Sequence, residues 1–190
     1  MMGMVFTGLM ELIEDEFGYE TLDTLLESCE LQSEGIYTSV GSYDHQELLQ
    51  LVVKLSEVSS VPVTELVRLF GKKLFVELIE GHPEIANEMK DSFDLLSKID
   101  SFIHVEVYKL YPQAELPKFT CDRLGDNDIR LHYQSKRPFA SFAEGLLDGC
   151  AEYFKEDFTI SRTPETQDSE TDVIFNITRA PRGAENLYFQ

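Results

Sequence analysis

The sequence predicts an α+β fold, with an N-terminal helical subdomain followed by a C-terminal antiparallel sheet that carries helices. Three observations predict it. Apolar residues recur at three- and four-residue spacing through the first two thirds of the 190-residue chain. After Pro112 the spacing switches to alternation, and Gly125-Asp126-Asn127 supplies hairpin-turn chemistry between two alternating segments. Helices first and strands last is the order of an α+β chain. Hydrophobic residues make up 43% and charged residues 27%, a composition that folds. The length suffices to bury a core without disulfide or metal staples. Residues 1–182 read as one domain. The end, Glu185-Asn186-Leu187-Tyr188-Phe189-Gln190, looks like the remnant of a protease-cleavable purification tag, so residues 183–190 are set aside.

Each element has its own signal. Val5, Leu9, Leu12, Ile13 and Phe17 form the first helical stripe, which Gly18 stops. Leu22, Leu25 and Leu26 give a short second helix. Residues 33–42 are rich in Ser, Gly and Tyr and read as a loop. Asp44 can cap a helix bearing Leu48, Leu51, Val52 and Leu55. Pro62 sits where the next helix opens, with Leu66, Leu69, Phe70, Leu74 and Leu78 behind it, and Gly81-His82-Pro83 breaks it. Asp91 or Ser92 opens the longest predicted helix, which runs to about Tyr111 along Phe93, Leu96, Ile99, Ile103, Val107 and Leu110. Leu116–Arg123 and Asp128–Arg137 read as strands. A helix on Phe142, Leu146, Leu147, Cys150 and Phe154 follows, then strands over Phe158–Arg162 and Asp172–Thr178, with the polar residues 163–170 as a loop between them.

Charge and cysteine usage exclude several function classes. Acidic residues outnumber basic ones 35 to 16, a net charge of −19 that repels nucleic acid and anionic membrane surfaces. There is no apolar run of about 18 residues to span a bilayer. The start, Met1-Met2-Gly3-Met4-Val5-Phe6, lacks the basic n-region of a secretory signal. Cys29, Cys121 and Cys150 are odd in number and have no CxxC spacing, which gives neither a disulfide framework nor a zinc knuckle and points to a reducing cytoplasm.

Two local anomalies bear on function. In the strand from Ile129 to Arg137 one face is wholly polar (Arg130, His132, Gln134, Lys136) and must be solvated. The other face, turned inward, begins with Ile129 and Leu131 but ends with Tyr133, Ser135 and Arg137. A guanidinium and two hydroxyls in a row suit an anion with several oxygens, such as a pair of carboxylates; the alternative is that the strand end is simply exposed. The second anomaly is His104. Of the four histidines it alone lies deep in a helix, at the edge of an apolar stripe. A half-buried neutral imidazole there is a candidate iron ligand or a structural residue whose ring nitrogens are satisfied locally.

These residues together resemble the heme nitric oxide/oxygen-binding (H-NOX) family. The matching features are Met2-Gly3-Met4-Val5-Phe6, Ile103-His104-Val105-Glu106-Val107, Leu116-Pro117, the YxSxR motif as Tyr133-Gln134-Ser135-Lys136-Arg137, and Ala143-Glu144-Gly145-Leu146-Leu147-Asp148-Gly149. The resemblance as a whole covers about residues 1–180. The resemblance implies heme b (iron protoporphyrin IX) held between the helical subdomain and the sheet. His104 would be the axial iron ligand, and Tyr133, Ser135 and Arg137 would bind the propionates. Pro117 would distort the porphyrin, and Val5, Leu9, Leu74, Leu78, Phe142 and Leu146 would line the distal pocket. Oxygen-binding relatives carry a distal tyrosine where this chain has Phe142. Bound O₂ gains from a hydroxyl donor and NO does not, so the resemblance implies a ferrous heme that takes NO and CO and excludes O₂.

The same resemblance implies a signalling role. NO weakens the bond trans to it, so His104 would loosen or detach and the helix that carries it could shift. No output domain is expected within 1–182, so the signal would pass to a separate protein, a histidine kinase or a cyclic-di-nucleotide enzyme. Some relatives carry a cysteine-rich C-terminal zinc site, and the cysteine-free residues 163–170 imply that it is lost here. An enzymatic role is not expected, because peroxide chemistry uses a polar distal group or a thiolate ligand and no candidate distal position supplies the first. The remaining alternatives are an oxygen sensor and a cofactor-free α+β interaction module.

Overall fold

The computed structural model describes residues 1–180, so residues 183–190 and a domain limit at 182 lie outside the described residues. The fold is α+β. Four helices come first: α1 (Gly3–Phe17), α2 (Tyr19–Ser28), α3 (His45–Ser59) and α4 (Val63–Gly81). Asp44 caps α3 by accepting from the Gln46 backbone N–H at 3.0 Å. The apolar stripes of these helices converge on Phe6, Leu9, Ile13, Leu25, Leu51, Leu55 and Phe70, which are almost wholly buried and form the N-terminal core. Two rings from the 33–44 loop close it: Tyr37 stacks on Phe6 with centroids 4.5 Å apart, and Tyr43 meets Phe6 edge-on at 5.4 Å.

The short α5 (Pro83–Asn87) leads to the segment predicted as the longest helix. That prediction is corrected. The segment is broken into α6 (Ser92–Ser97), a π-helical turn (Ile99–Ile103) and α7 (His104–Leu110), and α4 is the longest helix among the described residues. The break has local causes. The Ser97 hydroxyl back-bonds to Phe93 O at 2.6 Å, and Lys98 N–H donates to Leu95 O at 3.0 Å, closing a tight turn. The chain then opens into a wider turn in which Ile103 N–H reaches Lys98 O at 3.1 Å. The two helical pieces also serve different surroundings. α6 buries Phe93, Leu95 and Leu96, whereas no residue of α7 is fully buried.

The sheet is antiparallel with strand order β1-β2-β4-β3, from β1 (Lys118–Arg123), β2 (Asp128–Gln134), β3 (Phe158–Arg162) and β4 (Asp172–Arg179). Register pairs Phe119 with Tyr133, Leu131 with Phe175 and Ile129 with Ile177. The period of two puts Ile129, Leu131, Tyr133, Val173, Phe175 and Ile177 on one face, where they pack with α6 and with α8 (Ala140–Phe154) into a second core. Two predicted strands are longer than observed. Pro117 precedes β1, consistent with its missing donor, and β2 ends at Gln134, so Ser135 and Arg137 lie just past it. Arg137 N–H donates to Ser135 Oγ at 3.0 Å, which turns the chain there.

The two cores meet along α4 and α8. Their backbones approach so closely that a Cβ on Gly145 would lie 1.9 Å from Arg68 O, and one on Gly71 would lie 2.2 Å from Phe142 O. Only glycine fits at either position. No helix among the described residues is long and apolar enough to cross a membrane. The three cysteines are free thiols, Cys150 buried and Cys29 and Cys121 half-buried.

Candidate functional site

Between the two cores lies a cavity of about 830 Å³, well inside the range of cofactor pockets. Its lining is mostly apolar. α1 contributes Val5, α4 contributes Leu74 and Leu78, and α8 contributes Phe142 and Leu146. The π-helical turn and α7 contribute Ile103, His104 and Val107, and the connection after α7 contributes Leu116 and Pro117. Tyr133, Ser135 and Arg137 line it as well. One sequence-predicted residue is not there. Leu9 is 1% exposed and sits inside the N-terminal helical core. It stands one turn along α1 from Val5, about 6 Å further on, which carries it away from the cavity and into the contact with the neighbouring helices.

His104 is held in the cavity wall by a side-chain hydrogen bond. Its Nδ1 lies 2.8 Å from Asp100 Oδ1, and the other oxygen of Asp100 accepts from the Phe119 backbone N–H at 3.0 Å. A carboxylate only accepts, so Nδ1 is the protonated nitrogen and Nε2 keeps its lone pair. Burial pushes the His104 imidazole below its usual range, with Asp100 pulling the other way. The neutral form is the one that coordinates a metal. The His104 and Phe119 rings are 5.9 Å apart, and the Phe119 and Tyr133 rings 5.4 Å apart, so a line of packed rings runs from the helical segment to β2.

At the strand end, Tyr133 is 2% exposed, and burial pushes its hydroxyl upward in pKa. Arg137 is held from the connection after α7: it donates to Glu115 Oε2 at 2.5 Å and to Glu115 O at 3.1 Å. Glu115 thus accepts from both terminal nitrogens, once through its carboxylate and once through its backbone carbonyl. Asp100 and Glu115 are the two functional neighbours that sequence reasoning missed. The spacing of Asp100 one helical turn before His104 was a usable signal. Glu115 had none, because its approach to Arg137 exists only in the tertiary structure.

A family profile for haem-NO-binding domains matches residues 2–162. The chain belongs to the haem-NO-binding family. This is a family of heme-based gas-sensing domains, which are not themselves catalytic. Among solved structures the chain is similar to an Fe(II) unliganded H-NOX protein from K. algicida, with 36% identity, 100% of both chains covered and a TM-score of 0.89. It is also similar to an H-NOX protein from S. oneidensis in the Fe(II)NO ligation state, with 30% identity, 95% of this chain and 100% of that chain covered and a TM-score of 0.86. Among curated proteins it is 25% identical over 158 residues to the soluble guanylate cyclase gcy-33 of Caenorhabditis elegans. The match covers 81% of this chain but only 16% of the cyclase, and 28% of the related gcy-35.

The residues present fit a heme. A heme calls for a neutral imidazole with a free nitrogen, an apolar enclosure and cations or hydroxyls for its two carboxylates. The cavity has each: His104 with Nδ1 committed to Asp100, walls of Val, Leu and Phe, and Tyr133, Ser135 and Arg137 lining the same space. Among the described residues no group of three or more His, Cys, Asp or Glu side chains is placed to hold a bare metal ion.

Proposed function

We propose that the chain is a ferrous-heme sensor of nitric oxide that releases or weakens its His104 bond on binding NO and so regulates a separate signalling protein. The supporting observation is that one oriented, neutral imidazole and one Tyr/Ser/Arg set line the same apolar cavity. Heme b supplies the coordination position at which NO or CO binds. His104 offers Nε2 to the iron. Arg137 carries permanent charge for the propionates, and Tyr133 and Ser135 add hydroxyls beside it. Pro117, on the connection that also holds Arg137 through Glu115, lines the same cavity and would bear on a bound porphyrin. Val5, Leu74, Leu78, Phe142 and Leu146 exclude water from the gas-binding side. None of these five side chains can donate a hydrogen bond, which favours NO and CO over O₂.

His104 is the link between the cavity and the fold. It opens α7, and α7 joins through Tyr111 and Glu115 to β1. Loss of its tether allows that connection to shift against the N-terminal helices, a change of population between two packings. A histidine kinase or a cyclic-di-nucleotide enzyme in the cytoplasm is the proposed receiver of the shift.

The test is an absorption spectrum of the reduced, purified protein under argon, air and NO. The expected result is a heme chromophore that NO changes and air leaves as under argon. The protein is expected to lose its native chromophore on His104→Gly and to recover it with added imidazole. A colourless protein that ignores added hemin, or a stoichiometric oxygen complex in air, overturns the reading.

A further inference from the structure

We infer that Asp100 is a positioning residue that sets the strength of the His104–iron bond and couples His104 to β1. The inference rests on the heme reading above. Asp100 lies in the π-helical turn, and both of its oxygens are engaged. Oδ1 is 2.8 Å from His104 Nδ1, and Oδ2 accepts from Phe119 N–H at 3.0 Å. The first bond has an electronic consequence. An anionic acceptor on Nδ1–H shifts electron density toward Nε2 and makes the imidazole a stronger donor to a metal. A neutral acceptor would do this less, because hydrogen bonds to ionised groups are roughly twice as strong as neutral ones.

The second bond has a mechanical consequence. Phe119 is two residues past Pro117, and Pro117 lines the cavity. A single carboxylate therefore joins the imidazole to the strand that begins beside Pro117. Its side chain is about one third exposed, so the pair is only partly shielded from water. The His104–Phe119 ring contact runs in parallel with it. The bond pattern resists release of His104 in two ways, by strengthening its donor nitrogen and by fixing its ring against β1.

The test uses the reduced holoprotein and reads the bond directly. Asp100→Asn keeps an oxygen for Phe119 N–H but removes the charge. It is expected to lower the iron–histidine stretching frequency in resonance Raman spectra of the unliganded protein. In a His104→Gly background, free imidazole replaces the side chain, and adding D100N is expected to weaken imidazole binding roughly tenfold, the usual scale for such supporting carboxylates. An unchanged frequency together with unchanged imidazole affinity overturns the inference and leaves the heme reading standing. Should D100N fail to fold, the wild-type protein still decides. In its CO-bound form the ¹⁵N-edited His104 Nδ1–H resonance is expected far downfield, where a carboxylate-bound proton appears. A position typical of a proton bound to a neutral carbonyl refutes the proposal. Absence of any iron–histidine band in the wild type would remove this inference and the heme reading together.

Discussion

Phe142 stands on the first turn of α8, its ring 5.2 Å from that of Phe70, and lines the cavity. It is the place where one added oxygen atom is expected to change the ligand set. Phe142→Tyr adds a hydroxyl, and a donor aimed at a partly charged ligand gains about 1.5–3 kcal/mol. The expected outcome is an oxygen complex in air that the wild type lacks, read by absorption. A spectrum in air identical to wild type would show that the hydroxyl does not reach the bound gas. Glu77 supports a pH prediction. Burial raises its carboxyl above the usual value of 4.5, Glu11 and Asp15 push the same way, and Lys73 opposes them. The folded state therefore holds this proton more tightly than the unfolded chain. The favourable contribution is fully present below the unfolded value and is lost as pH rises through the folded one. Glu77→Gln is expected to raise Tm near pH 7 and to change nothing near about pH 4; equal effects at both would sink the assignment. Single residues were unevenly legible. Tyr133, Ser135 and Arg137 stood out because they interrupt an apolar face, and His104 because it interrupts an apolar stripe. Asp100 was signalled only by its spacing one helical turn before His104, and Glu115 did not stand out among 35 acids, since it meets Arg137 only in the tertiary structure.

At the scale of elements, the contact between α4 and α8 is built on missing side chains. Gly71, Gly145 and Gly149 each face backbone of the opposite helix, and an added Cβ at Gly145 would meet Arg68 O at 1.9 Å. A methyl group there must push two helices apart, and overpacking of this kind costs about 1–3 kcal/mol. Gly145→Ala is expected to lower Tm by several degrees, at about 2–4 °C per kcal/mol for a chain of this size. The same variant widens the seam beside Leu146 and Phe142, so its gas-binding spectra are expected to shift as well. A Tm within about half a degree of wild type would show that α8 can slide without loss. Element order, the sheet and most boundaries were readable from hydrophobic period and turn chemistry. The break at Lys98 was not. Apolar residues keep their helical spacing straight through it, from Phe93 and Leu96 to Ile103 and Val107, because α6 faces the sheet core and α7 faces the cavity. Hydrophobic period reports that a face is buried and is silent on what covers it. The family resemblance placed Leu9 in the cavity wall, although it belongs to the helical core.

At the scale of the whole molecule, the net charge of −19 sets a balance that no single contact reveals. The guanidinium groups are deeply engaged. Arg162 pairs with Glu144 at 3.1 Å and Glu170 at 2.8 Å, and Arg179 pairs with Asp91 at 3.1 Å and Glu156 at 3.4 Å. Arg68 spans from α4 to Glu144 and Asp148 on α8. These pairs tie α4 to α8, α8 to β3, and β4 to the residue that caps α6 and to the turn after α8, and burial shields the Arg162 and Arg179 groups, 15% and 8% exposed, from salt. The acids of the N-terminal helices have less shelter: Glu11, Glu14, Glu20 and Asp23 crowd α1 and α2 in exposed positions, and Asp15 and Glu16 share a single cation, Lys73, at 3.2 Å. Salt therefore acts mainly on the repulsive part. Raising ionic strength from about 10 mM to about 150 mM shrinks the screening length from roughly 30 Å to roughly 8 Å. That range covers repulsion between neighbouring helices and leaves contacts near 3 Å largely intact. Tm is expected to rise with sodium chloride over this interval and to level off above it. Replacing chloride by sulfate at equal ionic strength separates screening from the additional stabilisation that excluded salts give through apolar burial. A Tm that falls with salt would mean that the Arg162 and Arg179 clusters, rather than the acidic surface, dominate the electrostatics of the fold.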